Sequence, residues 1–477
     1  MISIVALTLV SALLALLLTP PWRCLCRHCG IMDAPDDIRR LHPAPVPRAG
    51  GVPVLAAYLG SLALLAASPL PPSTLVREAL PVAAIILPGA ALVFAAGLAD
   101  DIRGLKPWQK LVLQAAASSL VYRNGVHIAS VAGVAVPQWL TFPLTLFWLT
   151  WCSNAFNLID GMDGLAAGAG LFATLTILLG ALLHGNMTLM LVAAPLAGAL
   201  AGFLPYNFNP ASIFLGDSGS LTVGFLLGCY AVLWSQKGPA ALGMTAPLMA
   251  LGLPLLETLL TVARRFLAGK PIFAADRSHM HHRLLSRGLT PRRAVFMLYG
   301  ACCAAATFSL LSSLARRELK GLIVVLFCTT AWFGIRYLRY DEFGEAVRVL
   351  IGGAFRHMLA GQLTLRRFRN DLSSAASVED CFRILCRASR EFGFQRAELQ
   401  FQGARYDDPF DGDEGAKYRQ ITIPLSDADW AALYRLVDSP ALPMMMPFVD
   451  TVQRCLPEKL RQMAMQSHLT AHSGRPA

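Results

Sequence analysis

The sequence predicts an all-α polytopic membrane protein with about eleven transmembrane helices, followed by a C-terminal soluble α+β domain. Three observations lead there. Apolar runs approaching the roughly 20 residues of a spanning helix recur through residues 1–338. Basic residues collect in alternate loops between these runs. Beyond residue 340 charged and apolar residues become interspersed, as in a water-soluble fold. Composition agrees, with 55% of the 477 residues hydrophobic, 15% charged and a mean hydropathy of +0.51. The net charge of +11 reads as topology, because the basic residues lie in short loops and form no continuous face for a polyanion. Nucleic acid is therefore excluded as a partner, and the lipid bilayer is the expected surrounding.

By apolar length the spans are 1–19, 51–68, 80–98, 110–122, 139–156, 165–183, 187–204, 219–234, 243–263, 294–314 and 321–338, the fourth being short. No Lys or Arg precedes the first apolar core, whereas Arg23, Arg27, Arg39, Arg40 and Arg48 follow it. That polarity argues against a cleaved signal peptide and for a retained helix with its N-terminus outside. Loops 20–50, 99–109, 157–164, 205–218 and 264–293 then fall in the cytoplasm and hold most of the basic residues. The trio Arg316, Arg317 and Lys320 runs against this count. Residues 1–338 are read as the membrane domain and 339–477 as the soluble one, expected on the cytoplasmic side.

Every acidic motif lands on that same face. Asn157-Leu-Ile-Asp160-Gly-Met-Asp163-Gly places an amide and two carboxylates beside glycines between two apolar runs. Charges at the edge of a span are either interfacial solvation or a site, and converging acids favour a site over a polar hairpin tip. Asp100 and Asp101 are adjacent like charges, which need a metal or a basic group to neutralise them, and Arg103 could serve as that partner. Gly216-Asp217-Ser-Gly-Ser stands at an expected helix start, where Asp217 either caps the helix or binds the metal accompanying a phosphate. His279, His281 and His282, flanked by Arg277 and Arg283, suit a diphosphate better than zinc, because they cannot all face one ion from a regular helix.

Together these segments resemble the polyprenyl-phosphate N-acetylhexosamine-1-phosphate transferases, membrane enzymes that begin cell-envelope glycans. The resemblance covers about residues 1–338 and follows the family's motif order. It runs from Arg39-Arg-Leu-His42 and Pro45-Val-Pro-Arg48-Ala-Gly-Gly51 through the Asp100 and Asp101 pair and the Asn157 and Asp217 motifs to Asp276-Arg-Ser-His279-Met-His281-His282. The His-x-His-His form is similar to the branch that uses UDP-N-acetylglucosamine, whereas the muramoyl-pentapeptide branch usually carries three consecutive histidines.

The resemblance implies Mg²⁺-dependent transfer of an N-acetylhexosamine-1-phosphate, GlcNAc-1-phosphate first among them, from a UDP-sugar to undecaprenyl phosphate with release of UMP. Mn²⁺ could replace Mg²⁺. It implies a bacterial plasma-membrane location, with a homodimer as a candidate assembly. Asp217 would be the metal ligand, with Asn157 nearby; Asp100 would be a base, a nucleophile or an orienting group, with Asp101 as its neighbour. Asn157, Asp160 and Asp163 would contact nucleotide, sugar or metal-bound water, and Arg48, His279, His281, His282 and Arg283 would hold the diphosphate and sugar. A base is of little use to a phosphate monoester whose second pKa is about 6, because it is already mostly dianionic at neutral pH.

In the soluble part, helical spacing over 376–392 and 443–463 and strand alternation over 398–401 and 419–424 suggest a small α+β domain with some similarity to the GAF fold. Residues 404–417, rich in Asp and Gly, read as a loop between strands; they lack the spacing of an EF-hand. Cys24, Cys26 and Cys29 with His28 lack the second half of a zinc finger, so free thiols are expected. The rival function is a transporter of an anionic lipid or sugar, which would need ionisable residues at mid-span and an internal repeat. The other rival is a sensor with an inactive transferase core, which the intact motifs oppose.

Overall fold

The computed structural model describes residues 1–33, 45–69, 72–131, 134–237, 244–267, 279–338, 354–408, 418–426, 428–436 and 445–473. They fall into two compact units, one within Met1–Ala263 and Phe273–Arg339, the other within Arg264–Ile272 and Tyr340–Ala477. The expected features at Arg39, Arg40, His42, Asp276 and Arg277, the domain boundary near 339 and most of the loop to 417 lie outside the described residues.

The first unit is helical: α1 (Ile2–Cys29), α2 (Gly51–Ala67), α3 (Pro72–Arg103), α4 (Pro107–Arg123), α5 (Gln138–Ile159), α6 (Leu165–Leu183), α7 (Met187–Asn207), α8 (Gly216–Lys237), α9 (Thr245–Ala250), α10 (Gly252–Leu267, of which residues 264–267 fall in the second unit), α11 (Met280–Ser286), α12 (Pro291–Leu314) and α13 (Arg317–Tyr337). Among the described residues, seven helices are long and apolar enough to cross a membrane, namely α1, α3, α6, α7, α8, α12 and α13, and α2 is a shorter apolar helix. The chain is thus a multi-pass membrane protein. The apolar run 243–263 is not one helix but breaks between α9 and α10 at Leu251. Gly252 is a poor helix former and Pro254 has no N–H to give to the preceding turn, so the backbone yields there.

At the centre stands α8, with 94% of its apolar window buried, whereas none of that of α13 is. Polar side chains join neighbouring helices by donating to backbone carbonyls: Ser153 Oγ to Leu221 O at 2.7 Å, Ser11 Oγ to Pro195 O at 2.7 Å and Tyr230 Oη to Val192 O at 2.8 Å. In an apolar surrounding each hydroxyl thereby meets its need for a partner inside the protein. Two short antiparallel pairs close loops, β1 (Met32–Asp33) with β2 (Val46–Pro47) and β3 (Ser130–Val131) with β4 (Val134–Ala135).

The second unit contains α14 (Ala354–Ser374), α15 (Val378–Glu391), α16 (Met445–Ser473) and a four-stranded antiparallel sheet of order β6-β5-β8-β7, formed by β5 (Arg396–Phe401), β6 (Ala404–Asp407), β7 (Tyr418–Pro424) and β8 (Trp430–Leu436). Ser377 caps α15, its side chain accepting the Asp380 N–H at 3.1 Å. Phe392 stacks on Phe448 with ring centroids 4.6 Å apart, at the heart of a core shared with Phe368, Leu385, Leu399 and Leu433. One expectation is corrected here and one strand is new. Residues 404–407 are a strand rather than loop, and 430–436 form a strand that alternation did not reveal. The second follows from position, because β8 lies between β5 and β7 with Ala431, Ala432 and Leu433 all buried, so its sequence need not alternate.

Candidate active site

Three helix ends meet at the carboxylates. α3 finishes with Asp100 and Asp101, α8 begins with Gly216 and Asp217, and the loop before α2 carries Arg48 and Ala49. Close approach demands glycine at the crossings. A Cβ on Gly97 would lie 2.4 Å from the Asp217 carbonyl oxygen, and one on Gly51 would lie 2.3 Å from the Gly219 nitrogen. Gly216 has φ +74°, and a Cβ there would also meet the Asp101 carboxylate at 2.7 Å.

Asp101 is the cap of α8. Its Oδ1 accepts the N–H of Asp217 and its Oδ2 that of Ser218, both at 3.0 Å, and the residue is only 4% exposed. The first N–H groups of a helix lack partners within it, so a carboxylate from another helix satisfies them and complements the positive end of the helix dipole. The capping role considered for Asp217 thus belongs to Asp101. Arg48 in turn holds the acid pair by its backbone, with Nε donating to Asp101 O at 2.7 Å and Nη2 to Asp100 O at 3.1 Å. Its Nη1 lies 3.5 Å from Asp33 Oδ1.

Released from capping, the Asp217 side chain faces Asp100 across one ammonium. Lys110 Nζ lies 2.8 Å from Asp217 Oδ2 and 3.3 Å from Asp100 Oδ2. Asp100 also accepts the Leu105 N–H at 2.6 Å, which holds the turn leading into α4. Asn157, in the last turn of α5, lies beside Asp217 and donates to the Ser220 Oγ at 3.0 Å. Asp160 follows α5 as its C-cap and lies beside Gly216 at the start of α8. Burial, reinforced by the charges of Asp217 and Asp101, pushes the Asp160 carboxyl well above the usual range. Asp163 is employed differently, accepting from Asn209 Nδ2 at 2.9 Å and Ala211 N at 3.0 Å, and so pins the loop between α7 and α8.

The histidine motif is built on other elements. His279, the N-cap of α11, is 7% exposed, and its Nδ1 lies 2.9 Å from Glu257 Oε1 and 3.3 Å from Thr261 Oγ1, both on α10. The rings of His279 and His282 are 6.3 Å apart, and Arg283 continues the same helix. The His281 side chain lies outside the described residues.

Two residues escaped the sequence reading. Lys110 offered only a single basic residue near the start of α4, and its partners are 10 and 107 residues away in the chain. Glu257 did leave a signal, a lone acid inside Leu255-Leu-Glu257-Thr-Leu259, where an ionisable group is costly. The thiols are single groups: Cys24 and Cys29 are exposed, whereas Cys26 is buried and its Sγ donates to the Arg48 carbonyl at 3.4 Å.

Would these residues suit a divalent cation? Around Asp217 the donors are carboxylate and amide oxygens, the hard set that Mg²⁺ or Mn²⁺ prefers. The carboxylates of Asp100, Asp101 and Asp217 outnumber the cations beside them, Lys110 and Arg48, so a divalent cation would be welcome there. Among the described residues no three His, Cys, Asp or Glu side chains converge into a closed cage. That fits Mg²⁺, which uses one or two carboxylates and completes its shell with water and substrate phosphates.

The pattern of glycosyl transferase family 4 matches residues 83–235, the stretch running from α3 to α8. The chain is 33% identical over 304 residues to the probable undecaprenyl-phosphate N-acetylglucosaminyl 1-phosphate transferase of Bacillus subtilis, covering 63% of this chain and 82% of that one. It is 36% identical over 323 residues to the decaprenyl-phosphate N-acetylglucosaminephosphotransferase of Mycolicibacterium smegmatis, covering 61% and 77% respectively. With the phospho-N-acetylmuramoyl-pentapeptide-transferase of Streptococcus thermophilus it shares 35% identity over 135 residues, 27% of this chain and 40% of that one. With 33% identity to the first of these over 82% of that protein, and carrying the family pattern over the helices that build the carboxylate cluster, the chain belongs to glycosyl transferase family 4.

Proposed function

We propose that this enzyme transfers GlcNAc-1-phosphate from UDP-GlcNAc to undecaprenyl phosphate at the cytoplasmic face of a bacterial plasma membrane, releasing UMP. The observation that carries the reading is the meeting of Asp100 and Asp217 on the Lys110 ammonium at the junction of α3 and α8. An oxygen of the lipid phosphate attacks the sugar-proximal phosphorus of the donor. The bond from that phosphorus to the bridging oxygen breaks, and UMP departs with the electron pair. Both partners are anions, so positive charge and positioning must dominate the rate.

Lys110 supplies a fixed ammonium beside the phosphates. Asp217 and Asn157 would hold Mg²⁺ or Mn²⁺, whose chemistry is to neutralise charge on the transferring and leaving oxygens. Asp101 and Arg48 orient the cluster, the first through the α8 amides and the second through the α3 carbonyls. Asp100, tied to Leu105 N–H and Lys110, orients the acceptor rather than removing a proton that a phosphate monoester of second pKa about 6 has mostly lost already. His279, His282 and Arg283 bind the diphosphate, with His281 assigned to the same segment. Asp160 lies near the nucleotide, and Asp163 shapes the loop beside it.

The same reading has the first unit crossing the membrane about eleven times, with the seven long apolar helices joined by shorter ones. The helix-flanked antiparallel sheet of the second unit supports a GAF-like domain, which the chemistry does not require.

The test is release of labelled UMP from UDP-GlcNAc by the purified chain, with and without undecaprenyl phosphate and Mg²⁺, beside Asp217→Ala. Release that needs acceptor and metal and is lost in the variant is expected. Absence of release with UDP-GlcNAc, UDP-GalNAc and other UDP-aminosugars alike would overturn the proposal.

A further inference from the structure

The pair formed by Glu257 and His279 has chemistry that the carboxylate cluster does not use. Glu257 lies in the apolar sequence of α10 and is 2% exposed. One of its oxygens, Oε1, serves two groups at once, His279 Nδ1 at 2.9 Å and the Met280 N–H at 3.1 Å. The other, Oε2, is buried and has no hydrogen-bond partner among the described residues. A buried carboxylate with half its acceptor capacity unmade is costly, and an apolar residue of like volume would pack there at less expense. Helix packing alone therefore does not account for it.

We propose that Glu257 is a positioning residue for the nucleotide-sugar subsite, an inference that rests on the transferase reading above. A carboxylate facing Nδ1 fixes the proton on that nitrogen and sets the plane of the ring, so the interaction of His279 with a diphosphate is made through Nε2 in one orientation. By accepting the Met280 N–H, the same oxygen fixes the backbone from which α11 starts, and with it the direction in which His282 and Arg283 leave the helix. Thr261, 3.3 Å from the same Nδ1, closes the other side of the ring edge. Glu257 thus acts on the UDP-sugar through His279 and does not touch it.

The experiment measures KM for UDP-GlcNAc and for undecaprenyl phosphate, and kcat, in the full chain and in Glu257→Ala, Glu257→Gln, His279→Ala and the double Glu257→Ala/His279→Ala variant. Glu257→Ala is expected to raise KM for UDP-GlcNAc on the order of 10–100-fold, the range found when a group that orients a metal-binding histidine is lost. KM for the lipid acceptor stays near that of the wild type. Glu257→Gln retains an oxygen for both N–H groups and restores most of the affinity. In the double variant the loss matches His279→Ala alone, because residues acting as one unit are not additive.

Equal losses in Ala and Gln accompanied by a lowered unfolding temperature would assign Glu257 a merely structural role and overturn the inference. Additive effects in the double variant, or unchanged kinetics in Glu257→Ala, would overturn it as well while leaving the transferase reading intact. Silence of the wild type on every UDP-aminosugar would overturn both.

Discussion

Asp101 is expected to act on the stability of the site rather than on the chemistry, and the distinction can be measured. Asp101→Ala removes the acceptors of two amides, Asp217 N–H and Ser218 N–H, each bound at 3.0 Å. With Asp101 only 4% exposed, water is a poor substitute. A buried donor left unmade costs about 1–3 kcal/mol, and relief of repulsion from Asp217 returns part of the sum, so a net loss of about 2–4 kcal/mol is expected. Asp101→Asn retains one acceptor and presents an N–H to the other amide, so roughly half of that loss should remain. At no more than about 2–4 °C per kcal/mol, the figure for domains of 150–250 residues, Asp101→Ala should unfold several degrees lower. Thermal unfolding of the detergent-purified chain, followed by intrinsic fluorescence beside UMP release, reads both quantities. Asp217→Asn, which keeps the cap, should melt with the wild type and have no turnover. If Asp101→Ala and Asp101→Asn melt with the wild type yet lose turnover as completely as Asp217→Asn, Asp101 contacts the reacting groups and the capping argument is wrong.

Lys110→Met should lower kcat by about 10²–10³-fold at saturating Mg²⁺, the cost of one electrostatic group aimed at developing charge, with steady-state UMP release as the measurement. Gly97→Ala should cost about 1–3 kcal/mol by overpacking α3 against α8, seen as a lower unfolding temperature and a reduced kcat, because its Cβ would meet the Asp217 carbonyl at 2.4 Å. Asp163→Ala should free the loop it pins, losing two hydrogen bonds worth about 1 kcal/mol each, and should raise KM for UDP-GlcNAc while retaining measurable turnover. Chelation with EDTA should stop UMP release and added Mg²⁺ should restore it; turnover undiminished in EDTA would remove the metal from the mechanism.

The cluster was legible in the sequence as far as polarity and spacing reach. Asp100, Asp101, Asn157, Asp160, Asp163 and Asp217 stand at the ends of apolar runs, and the energetic cost of charge there marks them without any structure. What each one bonds was not legible. Asp101 caps a helix whose first amides lie 116 and 117 residues further along the chain, and Lys110 reaches Asp217 over 107. Such pairings depend on how α3, α4 and α8 cross, which no local pattern encodes. Glu257 was legible in principle, as a single acid within an apolar stretch, but only His279 beside it gives that acid a meaning. In the fold, long apolar runs became helices, whereas the break at Leu251 needed the joint effect of Gly252 and Pro254. In the second unit the central strand β8 hid its nature by being buried over three successive residues.

The crossings at Gly51 and Gly97 have a thermodynamic consequence. There the helices touch through main-chain atoms, so the spacing of the backbones that carry Asp100 and Asp217 is set by the crossing itself and is established when the helices associate. The work of bringing like charges together is therefore done once, during membrane assembly. An arriving nucleotide sugar meets acids already gathered, and the free energy of its binding is not diminished by collecting them.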